Sequence, residues 1–226
     1  MLLLTCLRLR LSQVHNFIGH STGGIVSILA ANSPSLYSRE IKNLGLVSPA
    51  LWATKPLVAQ LGDKIPGVIT WLLEKKVPGI DFVVADGYLK NNEIAWAKGP
   101  DGEFRFPGKF AKACDWNARM FDLHPFAVGG IAGANFSMLT GAVCEEWRRI
   151  LTEVATNGVN GNTVQTRLLF GNKDIVVDVR SPHLRRMSEL SNVTLVELEG
   201  LGHESLSEDT TPIAENLKKF LKASYS

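Results

Sequence analysis

Cysteine is scarce in this 226-residue chain, which has only Cys6, Cys114 and Cys144. An odd, widely spaced set with no Cys-x-x-Cys pair argues against a disulfide framework and against a cysteine-based metal site. It points to free thiols in a reducing compartment, with the cytoplasm as the expected location. No charge of one sign prevails. The formal net charge is +2, and Lys and Arg are scattered along the chain, so no footprint for nucleic acid or an acidic membrane is present. Only a few apolar residues separate Met1 from Arg8 and Arg10, which is short for a signal peptide. The long uncharged run from Phe126 to Cys144 holds four glycines together with Asn135, Ser137 and Thr140. A membrane span wants about 20 mainly apolar residues, so this run is expected to be a buried or pocket-lining segment. No integral span is expected, and contact with a membrane surface would be transient. Internal repeats and low-complexity tracts are also lacking.

What remains is ordinary globular material. Hydrophobic residues make up 45% of the chain and charged residues 20%, and the length suits one domain, or one domain with a sizeable insert. Val14-His15-Asn16-Phe17-Ile18 reads as a short strand running into Gly19. The stretch from Thr22 to Ala31 has no charge and no proline, which suits a helix buried on all sides; Asn32-Ser33-Pro34 ends it. Leu44 to Ser48 reads as a second buried strand, stopped by Pro49. The last third repeats the alternation. Val164 to Phe170 reads as a strand, and Ser181-Pro182 starts a helix with serine as N-cap and proline at the first helical position. Val193 to Leu198 is another strand, and Ile213, Leu217, Phe220 and Leu221 follow helical spacing. Strand–helix alternation of this kind predicts parallel βαβ units, with right-handed crossovers placing helices on both faces of a sheet.

The middle of the chain breaks this rhythm. Residues 51–160 are too long for a connection and predict a mostly helical lid or cap insert, with residues 1–50 and 161–226 forming the core. Ile65 to Val77 and Glu145 to Ala155 read as helices. Ile94-Ala95-Trp96 and Phe104-Arg105-Phe106 read as a small hairpin around Gly99-Pro100-Asp101-Gly102. All five tryptophans and seven of the ten phenylalanines fall in this middle part. They suit an acyl pocket and equally suit the insert's own core.

The chemistry is concentrated in Gly19-His20-Ser21-Thr22-Gly23. A serine hydroxyl needs exposure, an adjacent base and donors waiting for an oxyanion. Gly-x-Ser-x-Gly between a strand and a helix supplies the exposure, because the glycines let the strand turn sharply. Ser21 is the expected nucleophile, and the backbone N–H of Thr22 the expected oxyanion donor at a helix N-terminus. A base and its orienting acid should follow at the carboxyl ends of later strands. Asp174 and His203 both do, with Asp178 as the competing acid. His15, His20, His124 and His183 are expected to be structural or solvated. No metal or organic cofactor is implied.

Gly19-His20-Ser21-Thr22-Gly23-Gly24, Gly171-Asn172-Lys173-Asp174 and Gly202-His203-Glu204 resemble the α/β-hydrolase superfamily over most of residues 14–50 and 160–223. Asn117-Ala118-Arg119-Met120, His124-Pro125 and Val128-Gly129-Gly130 are similar to the lid region of its monoacylglycerol lipase, lysophospholipase and serine aminopeptidase branch. The resemblance implies a doubly wound, mainly parallel sheet, hydrolysis of a carboxylic ester or amide by Ser21, His203 and Asp174, and a small-molecule ester or lipid substrate held under a lid. Peptidase and acyltransferase chemistry would use the same triad. Relatives with dehalogenase or epoxide hydrolase chemistry place Asp at the position of Ser21, so neither reaction is implied. In the superfamily several strands precede the elbow, and a loop among them often carries the second oxyanion donor. Only 18 residues precede Gly19 here, and Leu7-Arg8-Leu9-Arg10-Leu11 could add one strand. The expectation is therefore an N-terminally truncated hydrolase, with a catalytically impaired scaffold as the alternative.

Overall fold

Alternating side chains along β-strands point to opposite faces, and the strands of this chain use both faces for core. The computed structural model describes residues 16–33, 41–52, 93–123 and 141–223. Its strands are β1 (Asn16–His20), β2 (Asn43–Val47), β3 (Gln165–Gly171) and β4 (Val193–Leu198), hydrogen-bonded in that order. All three pairings are parallel, and Gly19 stands opposite Leu46, Leu46 opposite Leu168, and Leu168 opposite Leu195. All four carboxyl ends therefore share one edge of the sheet.

The helices are α1 (Thr22–Ala31), α2 (Pro107–Leu123), α3 (Gly141–Asn157), α4 (Pro182–Ser188), α5 (Ser205–Glu208) and α6 (Thr210–Ala223). On one face Leu44, Leu46, Leu168 and Phe170 pack with α1, α3 and α4 through Ile25, Ile28, Leu151, Val154, Leu184 and Met187. On the other face Val47 and Leu169 pack with Ile213 and Leu217 of α6. Leu168 and Leu169, adjacent in sequence, thus serve opposite layers. This is the doubly wound, mainly parallel α/β architecture expected. Each fully buried leucine of this kind contributes on the order of 1.5–3 kcal/mol relative to exposure.

The expected strands at the ends of the chain lie where the sequence put them, within one or two residues. The segment expected as an insert is more divided. Helix α3 starts earlier than Glu145 and packs into the same core as the strands, through Ile150, Leu151, Val154 and Ala155. Arg148 Nη1 donates to Leu51 O at 3.0 Å, tying α3 to the single 3₁₀ turn Ala50–Trp52 after β2. Trp52 is itself core, edge-on to Phe170. The last helix of residues 51–160 is therefore shared with the sheet.

The hairpin is shorter than its sequence suggests. Lys98 and Phe104 form one antiparallel bridge, and Gly99 N–H donates to Glu103 O at 2.8 Å. Ile94 and Ala95 lie in a helical turn instead of a strand. Beyond that bridge Arg105 N–H donates to Ala97 O at 3.0 Å, Gly102 sits in the turn at φ 83°, and Trp96 packs against Phe110 with ring centroids 5.5 Å apart. The expected helix Ile65 to Val77, the His124-Pro125 and Val128-Gly129-Gly130 segments, Leu7 to Leu11, and both His15 and His124 lie outside the described residues. No helix among the described residues is long and apolar enough to cross a membrane.

Candidate active site

The chain leaves β1 at His20 and reverses at Ser21, whose φ of 49° and ψ of −121° are unusual for a residue with a side chain. Three backbone bonds hold this turn. Ser21 N–H donates to Val47 O at 3.0 Å, and Ser21 O accepts from Gly24 N–H at 3.0 Å and Ala50 N–H at 3.2 Å. The approach of α1 to β1 is so close that a Cβ on Gly19 would lie 2.2 Å from Gly23 O. A Cβ on Gly24 would lie 2.9 Å from Pro49 Cβ, whereas one on Gly23 would meet nothing within 4 Å. The crowded glycine on the helix side is therefore Gly24, not the Gly23 that closes the pentapeptide. Thr22 opens α1 immediately after Ser21, at the end of the helix where the dipole favours negative charge.

Asp174 arrives from β3. The chain turns at Gly171, whose carbonyl accepts from Asp174 N–H at 3.1 Å. Asp174 is buried, and its Oδ1 accepts from the backbone N–H groups of Val176 at 2.9 Å and Val177 at 3.0 Å. Its Oδ2 is left to face His203 Nδ1 at 3.1 Å. His203 arrives from the loop after β4 and is also buried. Its Nε2 lies 2.9 Å from Ser21 Oγ. A carboxylate oxygen can only accept, so Nδ1 carries the proton and Nε2 is the acceptor for the Ser21 hydroxyl. Ser21, His203 and Asp174 thus lie in one line of hydrogen bonds, running from a half-exposed hydroxyl to a buried carboxylate.

The competing residues lie elsewhere. Asp178 is exposed and its Oδ1 accepts from Arg180 N–H at 2.9 Å, within its own turn. His183 accepts at Nδ1 from the Trp52 indole N–H at 3.2 Å, and its Nε2 meets Thr152 Oγ1 at 3.0 Å. His20 bonds elsewhere: its Nε2–H donates to the carbonyl of His203 at 2.8 Å. Burial holds the His20 imidazole below its ordinary range, and the positive charge His203 can carry acts the same way.

One residue beside this line was not read from the sequence. Glu208 is fully buried, and its two carboxylate oxygens accept from Ala97 N–H and Gly202 N–H, each at 2.7 Å. Burial pushes its carboxyl above the ordinary range, those two bonds pull it back, and Glu204 and Asp174 push it up again. In sequence Glu208 sits in the polar run Glu204 to Asp209, which looks like a solvated face. No local signal marks it.

Among the described residues, cavities open at both ends of the sheet. One of about 290 Å³ lies beside the Asp174 turn, lined by Ile94, Trp96, Lys98, Lys173 and Ile175 among others. A larger one, about 650 Å³, opens at the amino ends of the strands near Lys42, Gln165 and Thr194 and touches no residue of the Ser21–His203–Asp174 line.

This architecture recurs in solved structures. An esterase from Thermogutta terrifontis superposes with a TM-score of 0.64 at 13% identity, covering 98% of this chain and 70% of its own length. The 2-hydroxy-6-oxo-6-phenylhexa-2,4-dienoate hydrolase of Rhodococcus sp. strain RHA1 gives 0.59 at 15% identity, covering 96% of this chain and 66% of its own length. The chain has the α/β-hydrolase fold. A carboxylesterase of Nitrososphaera gargenis shares this fold with a TM-score of 0.56 at 18% identity, covering 99% of this chain and 70% of its own. A laboratory-evolved potato epoxide hydrolase gives 0.55 at 17% identity, so the α/β-hydrolase fold by itself does not select the reaction. No family model and no curated protein matches the chain by sequence.

Proposed function

We propose that this protein is a serine hydrolase of carboxylic esters. The observation that carries the reading is the Ser21–His203–Asp174 line, with separations of 2.9 and 3.1 Å. In this mechanism Ser21 Oγ attacks the ester carbonyl carbon while its proton passes to His203 Nε2. The negative charge that develops on the carbonyl oxygen meets the Thr22 N–H at the start of α1. As the tetrahedral intermediate collapses, the C–O bond to the alcohol breaks and His203 returns the proton to the departing oxygen. Water, deprotonated by His203, then releases the acid from the acyl-Ser21 ester. Asp174 holds the Nδ1–H tautomer and stabilises the imidazolium throughout.

The substrate is proposed to be a small ester or a lipid, as in the lipase and lysophospholipase branch, held under a lid drawn from residues 51–160. Exposed Ile94 and Ile175 around the cavity beside Asp174 support apolar contact with an acyl chain or, transiently, a membrane surface. A reducing, cytoplasmic setting is part of the proposal, on the odd and widely spaced set of three cysteines.

The test uses the purified 226-residue chain with a fluorophosphonate probe and a short p-nitrophenyl ester. Wild type is expected to label and turn over, and Ser21→Ala to lose both. Equal labelling of the two proteins would sink the reading.

A further inference from the structure

A histidine side chain has two torsions, so the reach of its imidazole is set by where its own peptide sits. Three successive residues around His203 have a backbone group pinned. Gly202 N–H donates to Glu208 Oε2 at 2.7 Å, the His203 carbonyl accepts from His20 Nε2–H at 2.8 Å, and Glu204 N–H donates to Ala95 O at 3.0 Å. The other Glu208 oxygen takes Ala97 N–H at 2.7 Å, so one carboxylate grips both the His203 loop and the 95–97 segment. The fit is tight. A Cβ on Gly202 would lie 2.6 Å from Ala97 N and 2.7 Å from both Ala95 O and Glu208 Oε1.

We propose that His20 and Glu208 are positioning residues of the Ser21 site, fixing the His203 peptide from two sides and thereby setting the distance over which Nε2 takes the Ser21 proton. This rests on the serine hydrolase reading. Neither side chain bonds Ser21 Oγ or the Asp174 carboxylate. Glu208 is the right residue because two N–H donors converge on it, and a carboxylate offers an acceptor to each. A glutamine would set its NH₂ against one of them. His20 needs only a donor at the position of Nε2, which a glutamine side chain can supply and a leucine cannot.

The experiment is steady-state hydrolysis of a p-nitrophenyl ester by the full chain, with active sites counted by fluorophosphonate titration and folding followed by circular dichroism. Displacing a catalytic group by about 1 Å costs about 100-fold. Glu208→Gln and His20→Leu are therefore expected to lower kcat per titrated site by about 10- to 100-fold with KM nearly unchanged, and His20→Gln to recover most of the loss. The low-field proton resonance of His203 Nδ1–H should shift in the two impaired variants and return in His20→Gln. Wild-type kcat per site in His20→Leu and Glu208→Gln overturns the proposal. So does a loss wholly accounted for by fewer titratable sites, since that is a folding effect. If Glu208→Gln does not fold, the two substitutions at half-buried His20 decide. Absence of Ser21-dependent turnover in wild type removes the hydrolase reading and this proposal with it, whereas an active wild type with unmoved variants removes this proposal alone.

Discussion

Asp174 has both oxygens engaged, one by two backbone N–H groups and the other by His203. In Asp174→Asn the amide oxygen would stay with the two backbone donors and the NH₂ would face His203 Nδ1. Nδ1 must then accept, the proton moves to Nε2, and Ser21 loses its base. A fall in kcat of about 10⁴ is expected for a tautomer change of this kind, with the fold intact by circular dichroism. Asp178→Asn, at an exposed turn, should leave kcat within about twofold. His183 gives a different readout. Its Nδ1 accepts from Trp52, so protonation would set two N–H groups against each other. Burial first, then the charges of Arg148 and Arg186, hold its pKa below the ordinary value. A base with a depressed folded pKa leaves the unfolded chain binding more protons once the pH drops below about 6.5. Stability present above that pH is lost as pH falls toward the folded value. His183 and His20 should therefore lower the urea midpoint between pH 7.5 and 5.5, against the opposite contribution of the raised Glu208 carboxyl, and His183→Gln should remove part of that lowering.

Among the elements, those read well from the sequence carry their own punctuation. Strand β4 matched residue for residue because Asn192 and Gly200 bracket an apolar run, and α1 because small residues follow Ser21 and Asn32 ends it. Helix α2 was not read. Pro107 at its first position is a fair start signal, but Trp116 is exposed and no clean apolar stripe repeats along it. Ser181 shows how a correct start can carry a wrong mechanism. It occupies the N-cap of α4, yet its side chain makes no capping bond. Ser181→Ala should therefore change stability by less than about 0.5 kcal/mol in urea titration, where a working cap would lose about 1. Leu151→Ala on α3 should cost about 2–5 kcal/mol, because Leu151 is fully buried in the core shared by α3 and the sheet. A loss of only a few tenths would place α3 outside that core.

For the whole molecule, the site exists only when the sheet does. Ser21 and His203 are 182 positions apart in sequence, and His203 and Asp174 are 29 apart. Parallel pairing of the strands, inferable from alternating strand and helix signals, brings their loops to one edge, whereas the strand order was not legible. The spacing rules ended there. The Glu208 grip and the His20 bond join segments that no local pattern connects, so they were not legible. Fluorophosphonate labelling and the far-UV signal are accordingly expected to vanish at the same urea concentration. Labelling that fails well before the fold melts would mean that the His203 loop opens on its own.

Strand β2 contributes no member of the Ser21–His203–Asp174 line, yet it lies between the strands that lead into Ser21 and Asp174. Val47 takes the Ser21 N–H, and Ser48 N–H bonds across to Leu169 O. Two inter-strand steps of about 4.8 Å each make β2 a gauge block between serine and aspartate. Inserting one residue within Asn43–Val47 would turn its faces over and release Ser21 from Val47. The strand with no reactive side chain should tolerate a change of length no better than the elbow itself.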